Sequence, residues 1–143
     1  VSVVQLKLKK GGQNPQYATA GSAAQDIRAA ESVVLEPGRS HPIKTNLRVE
    51  FPESHVMLVF VRSGLSTKHS VMLTNGVAVI DSDYRGEIVV PLINFGESPY
   101  VIQKDERIAQ FMLVPIPRIE TTVVKDLSPS VRGERGLGST GKH

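Results

Sequence analysis

The sequence predicts an all-β protein: a jelly-roll-like antiparallel sandwich or barrel with one short helix and a glycine-rich C-terminal arm. Three observations carry that prediction. Short apolar runs recur at roughly 8–12 residue spacing, and Gly, Pro, Asn or Asp closes each of them. Several runs alternate apolar and polar residues, the period-two signature of a strand with one wet face. A credible helix is confined to Ser63 to Ser70. The 143 residues suit one domain with a real core, expected over 1–120, with a tail of different character over 121–143.

The elements follow in order. Val1 to Lys9 alternates as an opening strand, and Gly11 to Gln16 is a turn-rich loop. Ala18 to Ala30 has helical propensity, but Gly21 interrupts it and β-like stretches flank it, so a strand is expected. Val33 to Leu35 is a short strand, followed by a Glu36-Pro37-Gly38-Arg39 turn. Ile43 to Phe51 alternates until Pro52 stops it. Val56 to Val61 is almost wholly apolar and belongs at the centre of the sheet system. Strands are also expected at Val77 to Ile80, Ile88 to Asn94, Tyr100 to Ile102 and Ile108 to Val114. Asn75 to Glu87 then reads as a hairpin with its chemistry at the turn.

Composition narrows the function. Without cysteine there is neither a disulfide nor a thiolate metal site. No run approaches the roughly 20 apolar residues of a membrane span, and the opening residues lack the apolar core of a secretory leader. A soluble, cytoplasmic protein without a membrane partner is the expectation. Net charge is only +3, and the cations are scattered apart from the short run Lys7 to Lys10, which has no interleaved aromatics. A nucleic-acid surface is therefore not expected. Isolated arginines suit a phosphorylated small molecule better.

Asp81 directly follows an apolar strand, so a rigid element would hold its carboxylate at the edge of the core, where a general base belongs. Tyr84, three residues on, is placed to wall the same pocket. Taken alone, an Asp-x-Asp turn is more often a solvated connection than a site. Calcium is not expected, because Arg85 replaces the third oxygen ligand and Leu92 stands where the closing Glu belongs. Arg62-Ser63-Gly64-Leu65-Ser66 leaves the most apolar run. Ser63 is a candidate N-cap, Gly64 lets a ligand approach the backbone, and Arg62 offers a charge-assisted bond to phosphate. The tail contains Pro129, Gly133, Gly136, Gly138 and Gly141 and too few apolar residues for a core. Gly136 to Lys142 imitates a phosphate loop, but His143 replaces the magnesium-holding Ser or Thr and no helix follows.

Five blocks stand in order: Ala23-Ala24-Gln25-Asp26-Ile27, Arg62 to Ser66, Asn75 to Glu87, Glu106-Arg107-Ile108-Ala109-Gln110, and Arg132 to Gly141. Together they resemble the five-motif pattern of the trimeric dUTP pyrophosphatases, or dUTPases, across nearly the whole chain. The resemblance implies a homotrimer whose active sites are shared between subunits and which hydrolyses dUTP to dUMP and pyrophosphate with Mg2+. It implies Asp81 as the catalytic base and Tyr84 as the wall against deoxyribose. Asn75, Gly76 and Val79 would read uracil on a narrow hairpin. Arg62, Ser63, Gly64 and Gln110 would hold phosphates, and Asp26 would sit near the metal through water. On the arm, Arg132, Ser139 and Thr140 would clamp the distal phosphates, with Leu137 and Gly138 closing over the base.

Departures from the pattern fall mainly in the first and last blocks. Ala24 stands in place of a Gly, and Arg135 and Leu137 in place of a Gly and a Phe; Ala78 also replaces a frequent Gly. Two readings compete with the dUTPase one. The related dCTP deaminases need a Glu base and a different segment where Asp81-Ser82-Asp83-Tyr84 stands, and a nucleotide-binding regulator would have kept the fold and lost fast catalysis.

Overall fold

The computed structural model describes residues 2–9 and 11–141. Val1, Lys10, Lys142 and His143 lie outside them, and with them the first residue of the expected opening strand and the end of the arm. In chain order the elements are β1 (Lys7–Leu8), β2 (Gln16–Tyr17), β3 (Gln25–Arg28), β4 (Val33–Leu35), β5 (Ser40–Lys44), β6 (Val49–Glu50), β7 (His55–Val61), α1 (Ser63–His69), β8 (Val71–Leu73), β9 (Ala78–Ile80), β10 (Val89–Asn94), β11 (Tyr100–Ile102) and β12 (Arg107–Pro115). A five-stranded sheet runs β2-β3-β12-β7-β9, a three-stranded sheet runs β5-β10-β8, and β1-β6 and β11-β4 are two-stranded ribbons. Every pairing is antiparallel. No described helix is long and apolar enough to cross a membrane.

Alternation places the core between the sheets, because successive side chains of a strand face opposite ways. Ile27 on β3, Met57 and Val59 on β7, Ala78 on β9 and Phe111 on β12 are buried from one side. Ile43, Val90, Leu92 and Val71 meet them from the three-stranded sheet. From Ile43 to Phe51 every second residue is buried, Ile43, Thr45, Leu47, Val49 and Phe51 in turn. The hydrogen-bonded strand is nevertheless broken there, since Asn46 has a left-handed φ of 56°. The alternating pattern reports burial correctly while the ladder changes partner beneath it.

Four expectations are corrected. Asn75 to Glu87 is not a hairpin: β9 pairs with β7, whereas β10 pairs with β5 and β8. The segment 81–88 instead crosses from one sheet to the other. Ser63 is not the N-cap. Arg62 holds that position with extended backbone and no side-chain capping bond, and its carbonyl accepts from the Leu65 and Ser66 amides at 3.1 and 3.2 Å. The expected strand over Ala18 to Ala30 contracts to Gln25–Arg28, and the opening strand contracts to Lys7–Leu8.

Asn94 fixes the end of β10. It is fully buried, donates through Nδ2 to the carbonyls of Leu35 and Ser98 at 2.9 and 2.8 Å, and accepts the Gly96 amide at 2.8 Å. The last hydrogen bond from the C-terminal segment to the body joins the Ile116 amide to the Ser54 carbonyl at 2.9 Å. Beyond it, the hydrogen bonds of described residues 121–141 stay within that stretch.

Candidate active site

The five-stranded sheet builds the first part of the site. Gln110 on β12 lies in register with Asp26 on β3 and with Phe60 on β7. Their neighbours Ile27, Ala109 and Val59 are buried, so the three side chains share the opposite face. They line a cavity of about 610 Å3 together with Arg62, Ser63 and Met112. Arg62 enters as β7 ends: its Nε lies 3.1 Å from Asp26 Oδ1, and its Nη1 donates to the Arg107 carbonyl at 3.3 Å. Arg107 Nη1 stands 3.7 Å from the other Asp26 oxygen. One largely buried carboxylate thus faces two guanidiniums, leaving an excess positive charge that suits a polyanion. Gln110 Nε2 donates to the Val61 carbonyl at 3.3 Å, which holds its amide beside the start of α1. A Cβ at Gly64 would meet nothing within 4 Å, so the helix start is open to a ligand.

The second part lies on β9 and the crossing that follows. Gly76 takes a φ of 69° in the turn out of β8, and its amide donates to the Leu73 carbonyl at 3.1 Å. Val79, in register with Leu58, exposes its side chain on the outer face. Asp81 follows at once, exposed, with its carbonyl accepting the Tyr84 amide at 3.1 Å. The Tyr84 hydroxyl donates to the Glu87 carbonyl at 2.9 Å, and its ring folds over Gly86. Three further bonds brace the crossing. Arg85 Nη1 donates to the Ser82 carbonyl at 2.7 Å, Arg48 Nη1 to the Arg85 carbonyl at 3.1 Å, and the Asn46 amide to Glu87 Oε1 at 3.0 Å. Asp81 is therefore carried on a stiff support although its own side chain faces water.

The structure brings Asp26, Arg62, Ser63 and Gln110 into one cavity, and that cavity includes none of Asn75, Gly76, Val79, Asp81 or Tyr84. Arg132, Leu137, Gly138, Ser139 and Thr140 form a third, exposed group on the arm. Sequence reasoning missed the Arg107 contact to Asp26, which only the strand register reveals. It also missed a basic groove of about 400 Å3 where Lys7, Lys9, Arg48 and Arg85 converge around Glu50. There a 3.0 Å bond from Lys7 holds the Glu50 carboxyl below its usual range.

A family model for dUTPase matches residues 11–141. The chain belongs to the dUTPase family. The activity of this family is hydrolysis of dUTP to dUMP. A deoxyuridine 5'-triphosphate nucleotidohydrolase from Anaeromyxobacter sp. (strain Fw109-5) is 42% identical over 145 residues, covering 97% of this chain and 99% of the relative. One from Chlamydia pneumoniae is 45% identical over 139 residues, covering 94% and 95%. Among solved structures, a dUTPase variant from Staphylococcus bacteriophage 80alpha with dUpNHpp superposes at a TM-score of 0.88 with 32% identity over 99% of both chains. A dUTPase variant from phage phi11 of S. aureus, described with a structural Mg(II) ion, gives 0.79 and 26% over 90% of this chain and 100% of its own. The all-β fold and the dUTPase resemblance read from the sequence both stand.

Proposed function

We propose that this dUTPase hydrolyses dUTP to dUMP and pyrophosphate at sites shared between copies of the chain in a homotrimer. The separation of the Arg62 cavity from the Asp81 crossing within one chain carries this reading. From Phe60 and Met112 in the cavity the outer face of the five-stranded sheet continues through Leu58 to Val79, with Met112, Leu58 and Val79 in one register row. Covering it with another copy removes apolar surface from water and sets one chain's carboxylate against another's guanidinium.

In such a site the Asp81 carboxylate aims a water at the α-phosphorus and takes its proton. Tyr84 offers a ring wall to the deoxyribose, where a 2'-hydroxyl would collide. The backbone around Asn75, Gly76 and Val79 meets the uracil edge, and a mismatched base leaves those groups buried and unpaired. Arg62, Ser63, Gly64 and Gln110 take the phosphate oxygens. The arm then closes, with Arg132, Ser139 and Thr140 on the distal phosphates and Leu137 and Gly138 over the base, excluding water from the reaction.

Asp26 is the single carboxylate lining the cavity, and among the described residues no three His, Asp or Glu side chains converge. That donor set fits Mg2+ arriving with the nucleotide, which keeps several waters and takes its inner ligands from phosphates. Asp26 would hold it through water. Bound there, the ion would fix the triphosphate conformation and offset charge on the leaving pyrophosphate.

Pyrophosphate release is measured with dUTP, dTTP, dCTP and UTP, with magnesium and with chelator; turnover of dUTP alone, lost on chelation, is expected. Shared sites are tested by reassembling Asp81→Asn and Arg62→Gln chains in equal amounts. Each variant alone is inactive, and random assortment in a trimer should restore about a quarter of wild-type activity. No recovery from a verified mixed assembly would place both residues in one chain's site.

A further inference from the structure

The arm carries a hydrogen-bonded turn of its own. Arg135 donates through Nη2 to the Val131 carbonyl at 2.7 Å and through Nε to the Arg132 carbonyl at 3.0 Å. Arg132 answers through Nε to the Arg135 carbonyl at 2.7 Å and through Nη2 to the Gly136 carbonyl at 3.4 Å. Gly133, at a φ of 59°, reverses the chain between them, and its amide donates to Ser130 Oγ at 3.0 Å. This stretch borrows no hydrogen bond from the rest of the described chain. We infer that Arg135 is a positioning residue: its guanidinium splints the 131–136 turn before nucleotide arrives, so that the arm closes with part of its ordering cost already met.

The chemistry of the side chain supports a splint. A guanidinium is a rigid planar fork able to reach two carbonyls at once, which an ammonium on a flexible stem cannot imitate. Arg132, the phosphate ligand of the proposed reading, is thereby carried on a preformed turn. Its Nη1 makes no bond to the arm among the described residues, which leaves a donor for phosphate. Leu137 is wholly exposed. It offers less stacking over a base than an aromatic would, so preorganisation has more to supply in this arm. A splint acts on the free arm and not on the reacting atoms, so its loss weakens closure and raises KM while leaving kcat.

This inference rests on the arm closing over a dUTP site, and the experiment separates the two. Arg135→Gly, Arg135→Lys and a chain lacking residues 132–143 are compared with wild type in dUTP kinetics. The free proteins are also compared by 15N relaxation of residues 131–136. Arg135→Gly should raise KM about fivefold with kcat within about twofold, and should loosen the turn. Arg135→Lys should fail to rescue either property, whereas a direct phosphate contact would be largely restored by the lysine charge. Rescue by lysine, or unchanged relaxation and KM in Arg135→Gly, overturns the splint. A truncated chain with full activity overturns instead the closing arm itself.

Discussion

The Tyr84 ring lies so close over Gly86 that a Cβ at that glycine would collide with the phenolic oxygen. Gly86 is therefore required by the ring and not by an unusual backbone angle. The ring is partly exposed and anchored by one bond to the Glu87 carbonyl, so an added methyl would swing it outward and leave the core untouched. Gly86→Ala should thus cost about 1 kcal/mol of stability or less while narrowing the preference for dUTP over UTP. Tyr84→Ala should narrow it in the same way. Ratios of kcat/KM for the two nucleotides check this, and an unaltered ratio in both variants would remove Tyr84 from sugar selection.

Asp81 makes no side-chain hydrogen bond among the described residues and is exposed at the end of β9. Asp81→Asn should accordingly leave the unfolding temperature nearly unchanged. Turnover should fall at least ~100-fold, the scale lost with a general base, while dUTP affinity measured by calorimetry is nearly retained. Near-normal turnover would eliminate the assigned role.

What the sequence reveals here depends on how local the signal is. The burial alternation of Ile43 to Phe51 and the apolar run of β7 are local, and the structure keeps both. Asn75 to Glu87 shows the opposite case. Its turn residues say that the chain reverses, but not which strands then pair, and β9 and β10 join different sheets. The ion triad of Asp26, Arg62 and Arg107 depends on β3, β7 and β12 lying side by side, which composition does not encode. The basic groove is likewise hidden, because Lys7 and Lys9 lie far along the chain from Arg48 and Arg85.

Ser70 and Asp105 both adopt left-handed backbone, with φ of 55° and 70°. Ser70 ends α1, and the Asp105 backbone links to Ala29 and to Arg28. Glycine avoids the Cβ conflict of that region. Ser70→Gly and Asp105→Gly should each stabilise the fold by about 0.5–1 kcal/mol, additively because the sites share no partner. Urea unfolding of the single and double variants measures this; destabilisation by either would show that its side chain contributes more than its backbone costs.

Asn94 holds the turn after β10 through two donors and one acceptor, all within the protein. Asn94→Ala would strand the Leu35 and Ser98 carbonyls and the Gly96 amide where water does not reach freely. A loss of about 3 kcal/mol is expected, read from denaturant midpoints. A loss below ~1 kcal/mol would mean that water takes over these bonds.

Tyr100 supplies a pH signature. Its hydroxyl donates to Glu106 Oε1, whose other oxygen accepts the Gln103 amide at 2.8 Å. Burial, then the bond to Glu106 and the charge of that carboxylate, push the Tyr100 hydroxyl from 10.0 up to about 12. The folded-state value lies above the unfolded one, so the contribution is fully present below pH 10.0 and is lost as pH rises through about 12. Tyr100→Phe keeps the ring against His69, whose centroid lies 4.6 Å away, and removes only the titrating group. The stability difference between wild type and Tyr100→Phe should therefore be constant up to pH 10.0 and move against wild type above it. Thermal unfolding of both proteins across that window is the measurement, and a difference that stays level throughout would mean that the hydroxyl gains nothing from its place beside Glu106.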